Sequence, residues 1–204
     1  MQKSPGSSQE TCISRSIRVF ISINLPSALK TSLQAQIDAL SAVIPPHVVR
    51  WVQPEGLHLT LKFLGDVPVD ELDRIKAATQ QAVQGRMPFE LQTTEMGCFP
   101  NLKRPKIIWI GLNGALEALH ALRNSLEDQI APPGYPTETR PFHPHLTLGR
   151  VKAQNSGEIS SVGQGIRDAE NVGSGKWTCD AVHVMLSTLT ASGAEYQSLA
   201  SYPL

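Results

Sequence analysis

His58-Leu59-Thr60-Leu61 returns, letter for letter, at His145-Leu146-Thr147-Leu148. Histidine is the side chain whose charge changes nearest neutral pH, so two of them on the same local scaffold suggest a matched acid and base. Residues two apart on a strand share a face. Strict alternation therefore sends His58 and Thr60 one way and Leu59, Leu61 and Phe63 the other. The second copy repeats this, with His145 and Thr147 set against Leu146 and Leu148. Each stretch offers an imidazole and a hydroxyl on one face and packs leucines into a core on the other.

Working outward, strands and helices alternate in two runs, each holding one copy of the motif. In the first, a strand over 18–23 precedes a helix with apolar Leu29, Leu33, Ile37 and Leu40 at intervals of three and four. Pro45-Pro46 stops that helix. A short strand over 48–52 and a turn at Pro54-Glu55-Gly56 lead into the first motif strand, which ends near Gly65, and a helix spans 69–84. In the second run, strands over 89–97 and 106–112 precede a helix over 115–130 and then the second motif. Residues 155–171 are ambiguous between helix and loop. A strand over 179–188 and a short one near 196–199 close the chain. The expected fold is α+β: two pseudo-symmetric lobes, each an antiparallel sheet with outer helices, around a central cleft. Residues 1–16 read as a disordered tail without a secretory h-region, and 17–204 as a single bilobal domain.

Composition sets the bounds. The 204 residues carry 18 basic and 18 acidic side chains, so no global field draws the chain to nucleic acid or membrane, and any polyanion contact must be local. No apolar run approaches the roughly 20 residues that span a bilayer. Three scattered cysteines without C-x-x-C spacing fit reduced thiols in a cytoplasmic protein better than a disulfide framework or zinc site.

Two histidines across a cleft can displace a phosphoester oxygen without metal. One neutral imidazole takes a proton from the attacking oxygen while the other, protonated, gives one to the leaving oxygen. Each transfer is typically worth about 10²–10⁴-fold. A threonine hydroxyl two residues on can donate to a non-bridging phosphoryl oxygen.

The motifs and their surroundings resemble the two-histidine phosphoesterase superfamily, and within it the RNA 2′,3′-cyclic phosphodiesterase (2′-5′ RNA ligase-like) group. The matching residues run from Arg18-Val19-Phe20 through Trp51, Pro54-Glu55, His58 to Gly65, Phe99-Pro100 and Trp109-Ile110-Gly111. They continue through Arg140 to Arg150 and on to Leu186-Ser187-Thr188-Leu189 and Gly193-Ala194-Glu195-Tyr196. The resemblance implies hydrolysis of a terminal ribose 2′,3′-cyclic phosphate to a 2′-phosphomonoester, with weak 2′-5′ ligation in reverse and no metal or cofactor. It implies RNA ends or small cyclic nucleotides as substrate and a cytoplasmic monomer with no obligate protein partner. Carried over by position, His58 and His145 are the catalytic pair, and Thr60 and Thr147 the phosphate-binding hydroxyls. His58 is read as protonating the 3′-oxygen and His145 as activating water, an order the sequence does not fix. Sister readings are cleavage of 2′-5′ oligoadenylate, hydrolysis of another cyclic nucleotide phosphate, and a silent RNA-binding module.

Further substrate contacts are expected at Lys62 and Arg140, as phosphate partners, and at Phe142 and Tyr135, as base-stacking rings. Each has a plain alternative: a solvated lysine, or loop aromatics closing a core. Arg150 suits phosphate by chemistry. Its parity, however, matches Leu146 and Leu148, so it faces away from the cleft unless a bulge intervenes.

Overall fold

The computed structural model describes residues 15–131, 135–169, 175–190 and 193–204. In chain order the elements are β1 (Ser16–Asn24), α1 (Ser27–Val43), β2 (Val49–Trp51), a 3₁₀ turn at Pro54–Gly56, β3 (His58–Pro68), α2 (Leu72–Val83), β4 (Phe89–Phe99), β5 (Ile107–Gly114), α3 (Leu116–Ile130), β6 (His145–Val151), α4 (Ser156–Asp168), β7 (Lys176–Cys179), β8 (Ala181–Leu189) and β9 (Ala194–Pro203). The stretch read as a tail lies mostly outside the described residues. Ser16, its last residue, belongs to β1 and pairs with Pro68.

The architecture is α+β, as expected. Strands run β7-β4-β5-β6-β3-β1-β8-β9, with β2 alongside β6, and every pairing is antiparallel. One lobe gathers β1, β3, β8 and β9, and the other β2 and β4 to β7. The two lobes share one nine-stranded sheet rather than carrying a sheet each, and its halves join where β3 pairs with β6, at Leu59↔Leu146. The lobes are not simple halves of the chain. β7, of which the sequence reading caught only Cys179 and gave it to the following strand, pairs with β4, while β8 pairs with β1, so the chain changes lobe at Asp180.

Helices cover the outer faces. α2 packs on α3 and touches β8 and β9, and α3 lies against β3, whereas α4 contacts α1 and β4. Leu29, Leu33, Ile37 and Leu40 of α1 are buried, as are Leu119, Leu122, Leu126 and Ile130 of α3, so the heptad-like spacing marks the core faces. The ambiguous 155–171 stretch is a helix, and its start is well specified. Asn155 accepts from the Glu158 amide at 3.0 Å while the Glu158 carboxylate accepts from the Gln154 amide at 2.6 Å. This reciprocal cap offsets the weak helix propensity of a segment interrupted by three glycines. Among the described residues, no helix is long and apolar enough to cross a membrane.

Candidate active site

Leu59 and Leu146 are fully buried, and each sits between the histidine and threonine of its own motif. Because the strands run antiparallel, each histidine lies toward the other motif's threonine. His58 and His145 become diagonal neighbours, on the order of 8 Å apart at the backbone. Thr60 and Thr147 are half-buried on the same side.

Both imidazoles are held in the same way. His145 Nδ1 lies 2.7 Å from the His143 carbonyl oxygen. A carbonyl only accepts, so Nδ1 carries the hydrogen and Nε2 is left for the cleft. The His58 ring likewise bonds the backbone of Gly56, two residues before it. Aromatic rings then fix each one from the side. His58 packs 4.7 Å from Phe20 and edge-on at 5.1 Å to Tyr196, and His145 lies edge-on at 5.1 Å to Phe99 and 6.4 Å from Trp109. The Trp109 indole covers Gly97 so closely that a Cβ there would sit 2.4 Å from the ring, so glycine at 97 is what lets the indole lie beside His145.

The electrostatics follow from this packing. Burial lowers the His58 pKa to about 4 despite the Gly56 bond that favours its charged form, and the Lys30 charge lowers it further. Burial also lowers that of His145, against the opposing His143 carbonyl, with the His143 and Arg150 charges adding to the drop. At neutral pH both rings are therefore neutral in the free protein.

Strict alternation fails on both motif strands, at matching places. Ser22 faces Thr60 but Ile21 faces Lys62, so Leu61 is an extra residue. Trp109 faces Thr147 but Ile108 faces Gly149, so Leu148 is its counterpart. Each bulge flips the parity beyond it. Phe63, expected in the core with Leu59 and Leu61, is 71% exposed and approaches Phe20 on the histidine side. Arg150 is turned to the His145 side, where its charge acts on the ring. The glycine at 149 was an available signal, because a glycine inside a strand often marks a bulge. Here a Cβ at 149 would sit 2.7 Å from Val49 and 2.9 Å from Trp51.

The same flip corrects Lys62. It points inward, 5% exposed, and pairs with Glu127 of α3 while donating to the Pro136 carbonyl at 3.2 Å. Glu127 also binds Arg123 at 2.9 Å. Lys62 is therefore a buried structural cation and neither a phosphate contact nor a solvated lysine. Phe142 is corrected as well. Arg123 lies over its ring at 5.0 Å and His120 packs edge-on at 5.7 Å, so it pins the approach loop to α3. Tyr135 packs against the buried cluster of Val19, Val67 and Ile75, on the helix side of the sheet and away from the histidines. Arg140 is exposed, and Glu138 engages its guanidinium through two bonds at 3.0 and 2.7 Å. That bidentate partner holds the Glu138 carboxyl down at about 2. Sequence reasoning missed the four rings that frame the histidines, because their contacts arise between strands distant in the chain.

A family model described as the 2′-5′ RNA ligase superfamily matches residues 29–189. A relative from Methanothermobacter thermautotrophicus, named RNA 2′,3′-cyclic phosphodiesterase, is 31% identical over 189 residues, 92% of this chain and 99% of its own. One of the same name from Escherichia coli is 34% identical over 134 residues, 65% of this chain and 71% of its own. The crystal structure of a Thermus thermophilus protein is similar with a TM-score of 0.71 at 27% identity, covering 92% of this chain and 98% of that one.

Proposed function

The chain belongs to the 2′-5′ RNA ligase superfamily, and we propose that it hydrolyses the 2′,3′-cyclic phosphate at an RNA end or on a small nucleotide to a 2′-phosphomonoester, without a metal. The observation that carries this reading is the Leu59↔Leu146 pairing, which makes His58 and His145, each bonded to the backbone two residues before it, diagonal neighbours on adjacent strands. His145 Nε2 takes a proton from water as its oxygen attacks phosphorus. The P–O3′ bond breaks, and His58 delivers a proton to O3′. The products are a 2′-phosphomonoester and a free 3′-hydroxyl. His58 is neutral in the free protein, so the anionic phosphodiester must restore its proton by lying beside it. Thr60, Thr147 and Arg150 hold the non-bridging oxygens, where negative charge accumulates. A 5′-hydroxyl in place of water would give a 2′-5′ linkage by the same proton transfers, a weak ligation.

The protein acts in this reading as a cytoplasmic monomer without an obligate partner, with 16–204 as one domain. The free, buried thiols of Cys98 and Cys179 suit a reducing compartment. The test is incubation of a 2′,3′-cyclic-ended oligonucleotide in chelator, followed by identification of the product. A 2′-phosphate end formed at the chelator-free rate is expected. No turnover, or a 3′-phosphate product, would overturn the reading.

A further inference from the structure

Arg50 and Arg150 stand directly opposite each other where β2 pairs with β6. Directly opposed residues share a face and bring their Cβ atoms to about 5 Å, and like charges so placed repel. Their neighbours fix which face this is. Val49 pairs with Val151 and Trp51 with Gly149, and Val49, Trp51 and Val151 all pack into the core. Arg50 and Arg150 therefore project from the opposite side, the side of His145 and Thr147. Both are exposed, and among the described residues neither has a carboxylate partner. The Arg50 guanidinium reaches the other lobe, close enough that a Cβ on Gly193 would sit 2.9 Å from it.

Two unneutralised guanidiniums side by side suit two successive phosphates of one strand, since an anion on each removes the repulsion and supplies the acceptors both lack. Arg150 lies near enough to His145 for its charge to act on that ring. Arg50 lies one strand further out, bordering the opposite lobe. We propose that Arg50 binds the first internucleotide phosphate of an RNA substrate, the one joining the terminal ribose to the preceding nucleotide. The protein is then built for a chain end of at least two nucleotides, and a cyclic mononucleotide leaves this contact unused. A chain with zero net charge needs such local cations to recognise a polyanion. This inference rests on the cyclic-phosphate reading above and adds the polymer to it.

The experiment compares kcat/KM on a 2′,3′-cyclic mononucleotide and on a cyclic-ended dinucleotide. Wild type is set against Arg50→Ala and Arg150→Ala. A third substrate is the dinucleotide with an uncharged methylphosphonate as its internucleotide link. Arg50→Ala should lose about tenfold on the dinucleotide, the effect of one charge-assisted contact. It should stay within twofold of wild type on the mononucleotide and on the methylphosphonate. The log–log salt dependence on the dinucleotide should become shallower by about 0.7, one phosphate contact on a single strand. Arg150→Ala should fall on all three substrates alike. Equal losses for Arg50→Ala on every substrate, or none on the dinucleotide, would overturn the inference. Wild type inactive on every substrate would instead remove the cyclic-phosphate reading.

Discussion

Leu59 pairs with Leu146 across the seam between the two halves of the sheet, and the histidines flank that pair on opposite ends. The spacing of the two rings is therefore set by a buried apolar contact rather than by any bond between the two imidazoles. Replacing Leu146, fully buried, by alanine removes most of that contact.

Leu146→Ala should cost about 2–5 kcal/mol of stability, the usual range for a core leucine. Turnover per folded molecule should fall as well, because the seam sets the alignment of both rings. Leu119→Ala, equally buried but on α3, should cost similar stability and leave turnover near wild type. Urea unfolding and active-site-normalised kinetics on the two variants would separate these effects. Equal turnover in both would show that the seam does not govern the geometry.

Lys62 is expected to matter for folding. Its partner Glu127 is 3% exposed and also holds Arg123, so removing the lysine leaves a buried carboxylate short of one cation. Lys62→Met should destabilise by about 3–5 kcal/mol. Lys62→Met combined with Glu127→Leu should destabilise by less than the sum of the two single changes, because each single change strips the surviving member of the pair of its partner and the double removes both, while Arg123 loses Glu127 in the single and double variants alike. Arg140→Ala, at an 83% exposed side chain, should change stability by less than about 0.5 kcal/mol. Thermal or denaturant melts of the four proteins check this. Full additivity at 62 and 127 would contradict it.

How much of this was legible beforehand divides at the bulges. The α+β class, the core faces of α1 and α3, and the two histidines with their threonines follow from local periodicity and from the repeated tetrapeptide. Lys62, Phe63 and Arg150 do not. Each lies one or two residues beyond its motif, and one extra residue in each strand inverts its facing. The sequence carries only a hint of this, in Gly149. Phe142 and Tyr135 look like base-stacking loop aromatics in isolation. Their partners, Arg123 and His120 in one case and the Val19–Val67–Ile75 cluster in the other, come together only in the folded chain. The arginine pair at 50 and 150 was equally hidden, because it depends on the register of two strands a hundred residues apart.

The depressed histidine pKa values determine a pH profile. kcat/KM reports the free protein, in which one ring must be protonated and the other neutral. A ring is protonated below its pKa. With His58 at about 4 and His145 below its ordinary 6.5, the singly protonated pair is most populated on the acid side of 6.5. kcat/KM should therefore peak below pH 6.5 and decline above it. kcat should hold to higher pH, because the bound phosphate anion raises both values. Initial rates between pH 4 and 9, at low and saturating substrate, test this. A kcat/KM maximum above pH 7.5 would contradict it.

The most direct test is single-turnover hydrolysis of a cyclic-ended oligonucleotide, in chelator, by wild type, His58→Ala, His145→Ala and the double variant, with folding confirmed by circular dichroism. If the two rings work as one acid–base pair, each single change should slow the reaction by about 10²–10⁴-fold, and the double variant should be little slower than either. A folded single variant that hydrolyses the substrate at the wild-type rate would contradict the account.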